Sequence, residues 1–547
     1  MAALETPQWQ QTVNAKRKIR DDTIERYLKS HGVPSESLHL NQKSNSQNVP
    51  SDPTTIDGVE KILQAILSRA VTASQMLDAY INRAIKAHQH TNCLTEILFE
   101  DAVKQASELD DYFQKNGRLM GPLHGVPMTL KDQFDVKGYD STLGYVGRAF
   151  KPAAEDCVLV ALLKQMGAVI FAKSNLPQSI MWCETDNPLW GLTVHPRNSD
   201  FTPGGSTGGE GALLSLRGSV IGWGTDIGGS IRIPSHMNGL YGLKPSSTRL
   251  PYQGVSVSTE GQEHVPSVVG PLTRDISSLV AVTKAVIERT PWDHDPKCCP
   301  VPWRSGLFIE ARTRPLVIAV MRDDGVVRPH PPVARVLEEL ATQLEQAGHE
   351  IVSWEPGTLH QECIDIMDQY YTADGGEDIR RDVAAGGEPF IPHVEALVNK
   401  GKPISVYDYW QLNRLKFDAQ KRYLDLWNST KTADGRKIDI LLTPVMPHSS
   451  VPHGRCKWVG YTKVFNFVDY PAVVIPAGHV SKELDHDAAS QMAMYQPRNA
   501  LDKWNWDTFD LDAMDGMPIG VQVVARRLQE EKALGAAKTI DELLRGV

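Results

Sequence analysis

Ser230 closes the run GTDIGGS (Gly224–Ser230), directly behind two glycines and two positions ahead of Arg232. Ser206 lies 24 positions earlier, in a second glycine–serine run, PGGSTGG. A serine behind glycines suits acyl transfer. The tetrahedral intermediate carries an oxyanion, and each backbone N–H aimed at it is worth roughly 3 kcal/mol. Glycine lets the main chain turn its N–H groups inward and approach a substrate closely. A serine hydroxyl is a weak nucleophile until a base takes its proton. No histidine stands in a telling position; His236, six residues after Ser230, reads equally as packing. A lysine serves as base when burial or neighbouring positive charge favours its neutral form. Three lysines end apolar runs: Lys131 in GVPMTLKDQFD, Lys173 in VIFAKSN and Lys244 in LYGLKPS. Each is also an ordinary strand-end lysine, and residue types alone do not choose among them.

The glycine-rich runs admit other readings. A phosphate loop needs G-x-x-x-x-G-K-[ST]. From Gly204 the spacing reaches Gly209, but Glu210 follows, and its carboxylate repels phosphate. Gly222, Gly224 and Gly228 miss the dinucleotide fingerprint by one position, and the SIRIPSHMNG that follows is not expected to open as a helix. Gly204–Gly208 does satisfy the nucleophile-elbow pattern G-x-S-x-G, with a helix expected after it. The preceding HPRNSDFTP, however, is polar and turn-like where that reading needs a strand. No Ser-x-x-Lys occurs, which removes the serine–lysine pairing of β-lactamases.

The elements that would position these residues are readable from periodicity. VEKILQAILSR and TASQMLDAYINRAIKAH carry apolar residues at helical spacing, the second behind a Thr72 cap. Residues 9–32 read as a charged helix and 33–55 as a polar loop or linker. From about Leu123 helical stretches alternate with short buried-strand runs: AVIFAKS, PLVIAVM, HEIVSWE, DILLTPVMP and PAVVIPAG. That alternation argues for an α/β fold. Residues 356–435 read as a helical insertion or cap, and 479–512 as a polar surface excursion. The expected division is 1–70 as an N-terminal helical extension and linker, and 71–547 as the catalytic domain.

Composition is that of a globular chain: 547 residues, 41% hydrophobic, 22% charged, net charge −9. The acidic balance disfavours a nucleic-acid surface. Seven cysteines, scattered and without C-x-x-C, read as free thiols. The chain shows no secretory h-region and no apolar run of membrane length. The cytoplasm is the default compartment, and no membrane or nucleic-acid partner is expected.

Pro203 to Ser246 resembles the signature of the amidase signature family: a G-G-S-[ST]-G-G block, a G-T-D-x-G-G-S-[IV]-R-x-P block, then G-x-K-P, all in order. PLHGVPMTLKD, FNFVDYPAVVIPAG and GMPIGVQVVARRLQEEKAL are similar to further family segments, so the likeness runs from about residue 70 to the C-terminus. Length and the YQPRNALDKWNWD segment look most like fungal acetamidase-type amidases. The resemblance implies a central mixed, twisted sheet covered by helices on both faces. It also implies a Ser–cis-Ser–Lys triad, with Ser230 as nucleophile, Ser206 as bridge after a cis Gly205–Ser206 peptide, and Lys131 as base. Oxyanion donors would be the N–H groups of Ile227, Gly228, Gly229 and Ser230, with Ser206 also against the substrate. Asp226 and Arg232 would support the loop. Thr207 stands where many members carry serine, keeping the hydroxyl. Ile180 stands where a family member carries methionine. The implied reaction hydrolyses a small monocarboxylic acid amide to carboxylate and ammonia through an acyl-serine, with no metal or organic cofactor. The alternatives are a bulkier aryl or secondary-metabolite amide, or a non-catalytic binding protein on the same fold. The oligomeric state is open, a homodimer included.

Overall fold

The structure, a computed structural model, describes residues 6–32, 52–56 and 58–546. Most of the loop expected over 33–55 therefore lies outside the described residues. Eleven strands form one sheet: β1 (Leu94–Ile97), β2 (Pro127–Lys131), β3 (Val169–Ser174), β4 (Ile221–Asp226), β5 (Tyr241–Lys244), β6 (Val268–Thr273), β7 (Val317–Val320), β8 (Glu350–Ser353), β9 (Ile440–Pro444), β10 (Ala472–His479) and β11 (Pro518–Val524). Their spatial order is β1-β3-β2-β4-β6-β5-β10-β11-β9-β7-β8. The sheet is mixed: β3, β2 and β4 run parallel, as do β8, β7 and β9, while the strands between pair antiparallel.

Helices cover both faces, and strand alternation shows it. In β3, Ile170 packs with Met128, Leu130 and Trp223, whereas its neighbours Val169 and Phe171 pack with Ala73, Ala84 and Ala212. Burial on both faces is why the strand reads as an unbroken apolar run. The helix Ala73–Thr91 starts at a capping box, in which Thr72 and Gln75 side chains satisfy each other's backbone N–H groups.

The helix Gln8–Ser30 is docked rather than free. Arg17 donates to the carbonyls of Leu189 (2.7 Å) and Pro188 (3.0 Å), and buried Lys16 sits between Glu96 (2.6 Å) and Asp140 (2.7 Å). Residues 356–435 hold four helices, Leu359–Tyr371, Glu377–Gly386, Pro392–Val398 and Val406–Ser429. Segment 479–512 is largely exposed, as expected of a surface excursion, and is tied down at a few points. Asp502 is fully buried and accepts the N–H groups of Arg328 (2.8 Å) and Arg498 (2.9 Å). Trp506 is buried too, with its ring stacked 4.2 Å from that of Tyr495. Buried Asp502 and Trp506 anchor a segment whose other residues mostly face solvent.

A correction falls at SIRIPSHMNG, which does form a helix, Arg232–Asn238. Pro234 lies in its first turn, where a missing N–H removes no helical hydrogen bond. Asp226 accepts the N–H groups of Ile231 (3.1 Å) and Arg232 (3.4 Å) at that end. All seven cysteines are free thiols, and no His/Cys/Asp/Glu group among the described residues is arranged to hold a metal ion.

The register between β4, β6 and β5 depends on one small residue. Gly270 of β6 pairs with Gly224, and a Cβ at Gly270 would stand 2.0 Å from the Leu243 carbonyl oxygen of β5. Gly270→Ala is expected to lower stability by about 1–3 kcal/mol, read as an earlier urea midpoint; an unchanged midpoint contradicts this close approach.

Candidate active site

Because β2 and β4 run parallel with Leu130 opposite Trp223, Lys131 and Asp226 finish at the same sheet edge. Carboxyl ends of parallel strands are where open α/β sheets place ligands. The period of two sets Thr129 and Lys131 on one face of β2. That face meets the helix Gly208–Ser215 and the residues leading into it. Thr129 Oγ1 donates to Glu210 Oε2 (2.6 Å), and Lys131 Nζ lies 2.6 Å from Ser206 Oγ. The helix comes this close because β4 offers glycines. A Cβ at Gly222 would stand 2.2 Å from the Glu210 carboxylate, and one at Gly224 2.6 Å from the Thr207 methyl. Glycines that loosely imitate a nucleotide fingerprint are thus packing glycines. The peptide Gly205–Ser206 is cis.

The second loop is held from inside. Asp226, at the end of β4, accepts the N–H of Gly229 (2.8 Å) and pairs with one edge of the Arg232 guanidinium, through Nη2 (2.9 Å) and Nε (3.0 Å). Arg232 is fully buried and also donates to the Thr462 carbonyl (2.7 Å) and to Asn466 Oδ1 (2.6 Å). Burial pushes the Asp226 carboxyl up, but the Arg232 charge and the hydrogen bonds outweigh it and hold it at about 2. Gly229 turns at φ 135°, a conformation open to glycine. The Thr207 N–H donates to the Ser230 carbonyl (3.2 Å), so the two glycine–serine loops are tied face to face.

Lys131 is fully buried, and burial brings its ammonium down to about 7 despite the nearby carboxylates of Asp226 and Asp132. Thr225 Oγ1 lies 3.1 Å from Lys131 Nζ and donates to Gln133 Oε1 (2.7 Å), so toward the lysine it can only accept. The other two candidate lysines hold backbone. Lys173 donates to the Asp140 carbonyl (2.5 Å), and Lys244 to the carbonyls of Phe465 (3.0 Å) and Tyr470 (2.7 Å). His236 is buried, its Nδ1 accepting the Gly520 N–H (2.9 Å) and its Nε2 2.8 Å from the His448 carbonyl, a packing role.

Ser230, Gly228, Ile227 and Gly205 border a cavity of about 300 Å³. Ile180, Met181, Trp182, Ile233 and Val459 give it apolar walls, and Tyr371, His393 and Leu397 of the 356–435 helices enclose it. Tyr371 Oη donates to the Ile227 carbonyl (2.9 Å). Neither Tyr371 nor the Thr225–Gln133 pair was singled out from sequence. For Thr225 the signal was its place beside Asp226 at a strand end; Tyr371 carried none.

A family model described as Amidase matches residues 75–534. The chain belongs to the amidase family. It is 54% identical to "Amidase 1" of Gibberella moniliformis over 98% of this chain and 99% of that protein. It is 37% identical to "Acetamidase" of Emericella nidulans over 98% and 99%. A solved "Fatty acid amide hydrolase" matches with TM-score 0.84 at 29% identity, covering 100% of this chain and 92% of that one. This amidase therefore has the amidase signature fold and is a hydrolase acting on amides. No helix among its described residues is long and apolar enough to cross a membrane.

In this amidase Arg232 neutralises a buried carboxylate, so removing it strands a charge. Arg232→Met is expected to cost about 3–5 kcal/mol of stability, measured by chemical denaturation. A change below about 1 kcal/mol contradicts the role given to the pair.

Proposed function

We propose that this amidase hydrolyses a small monocarboxylic acid amide to carboxylate and ammonia, with Ser230 as nucleophile, Ser206 as proton relay and Lys131 as base. The observation that carries the reading is a fully buried lysine, brought to about 7, lying 2.6 Å from the Ser206 hydroxyl. Neutral Lys131 takes the Ser206 proton while Ser206 takes that of Ser230. The Ser230 oxygen attacks the amide carbon, and the N–H groups of Ile227, Gly228 and Ser230 receive the oxyanion. The N–H of Gly229, also expected as a donor, is held by Asp226 and serves to shape the turn. As the C–N bond breaks, the proton returns through Ser206 to the nitrogen and ammonia leaves. Water then adds to the acyl-serine by the same route reversed, regenerating Ser230. Ammonia release is supported by the acetamidase names among its relatives. A bulkier amide is the second reading, favoured by the cavity of about 300 Å³ and its Trp182 wall, which acetamide fills only in part.

The working form is the unprotonated lysine, so kcat/KM should climb about tenfold per pH unit below pH about 7 and level off above it. Lys131→Ala should lower kcat by about 10²–10⁴-fold and abolish that limb while circular dichroism stays native. Wild-type rates in the variant, or a flat wild-type profile from acid to neutral pH, contradict the assignment.

A further inference from the structure

Three lysines and one carboxylate line the Ser230 cavity: Lys400, Lys457, Lys463 and Asp368. They arrive from separate elements. Asp368 lies on the helix Leu359–Tyr371, Lys400 follows the helix Pro392–Val398, and Lys463 lies on the helix Gly460–Phe467 with Lys457 in the segment before it. Asp368 is shared, ion-paired to Lys463 and 3.5 Å from Lys400. Lys457 lies 3.1 Å over the Trp504 ring and pairs with no carboxylate among the described residues. The lining thus carries three lysines against one carboxylate, in a chain whose net charge is −9.

This surplus is local. A second cavity shares Met181, Ile227 and Tyr371 with the first, yet beyond Tyr371 its charged lining is Glu260, Asp374 and Asp378. Between these two cavities the positive set lies on the side that holds Ser230, where low-dielectric walls focus its field on an incoming anion. Lys463 is the deepest member, at 8% exposure, and its stem runs along the nucleophile loop: Cγ lies 4.0 Å from where a Gly228 Cβ would stand. Three bonds separate that Cγ from the nitrogen, which is ion-paired to Asp368 of the same lining.

We propose that Lys400, Lys457 and Lys463 form a carboxylate-binding subsite, and that the preferred substrate is the monoamide of a short dicarboxylic acid. This rests on the reading of Ser230 as nucleophile with ammonia as the leaving group. Ammonia has no room for a carboxylate, so the anionic group belongs to the acyl chain. Water adds across the C–N bond, and the products are the dicarboxylate and ammonia. The apolar walls take the methylene chain, and the lysines take its far end.

The test compares succinamate with 4-methylpentanamide, in which an isopropyl group replaces the carboxylate. Wild-type kcat/KM should favour succinamate by about tenfold or more at low salt, and only its KM should rise with sodium chloride. Lys463→Met, and separately the double variant Lys400→Met/Lys457→Met, should each cut that ratio by about tenfold or more. Using a ratio cancels any loss of folded enzyme, and the double variant changes only exposed side chains. A wild-type ratio at or below one, or a ratio untouched in both variants, overturns the subsite. Cleavage of acetamide and 4-methylpentanamide without preference for succinamate removes the subsite alone. Failure to cleave any of the three amides overturns the reading beneath it and the subsite with it.

Discussion

An ammonium group cut off from water must find compensating charge or give up its proton, and Lys131 is placed so that the second outcome prevails. The strand β2 carries it to a sheet edge where every neighbour is protein. Its nearest partners are hydroxyls, those of Ser206 and Thr225, which carry no charge to balance an ammonium. Of the acids around this arrangement, Asp132 and Asp226 favour the charged lysine but are outweighed by burial. Asp226 stays ionised, but its charge is matched at once by Arg232. Glu210 is fully buried beside Thr129, and burial pushes its carboxyl up to about 8, so near neutral pH it contributes little negative potential. The lysine's basicity is therefore a property of its surroundings and their burial rather than of one residue.

The same requirement explains the glycines. Drying the space around Lys131 demands that the helix Gly208–Ser215 lie directly on β4, and only strand positions without side chains allow it. The loop bearing Ser230 must then turn back over Ser206 within a few residues, which places Gly229 at positive φ and calls for an internal clamp. The Asp226–Arg232 pair is that clamp, extended through Thr462, Asn466 and Gln522 to distant parts of the chain. A buried ion pair adds little net stability compared with an apolar replacement; its contribution here is a defined loop geometry.

Much of the scaffold was legible in the sequence because it rests on local regularities. AVIFAKS contains β3 and PLVIAVM contains β7, since strands buried on both faces write continuous apolar runs. The order of the glycine–serine blocks pointed to the family. What stayed hidden is what depends on distance. Lys131, Lys173 and Lys244 share one local context, and only tertiary partners separate a lysine against a hydroxyl from two that hold carbonyls. The short helix after Ser230 was not legible, although Pro234 stands in its first turn, where proline is tolerated. Tyr371 and Lys463 lie far along the chain in ordinary helical patterns, and nothing in those patterns tells that they flank the nucleophile loop.

The most direct test of the account is reaction of the enzyme with a fluorophosphonate, in which the attacking oxygen displaces fluoride from phosphorus, followed by peptide mapping of the adduct. Ser206 and Ser230 are distinguished by the mapped site. The account predicts the adduct on Ser230, with labelling that strengthens as pH rises through about 7 as Lys131 loses its proton. An adduct on Ser206, or labelling of Ser230 that is equally fast after Lys131→Ala, contradicts it.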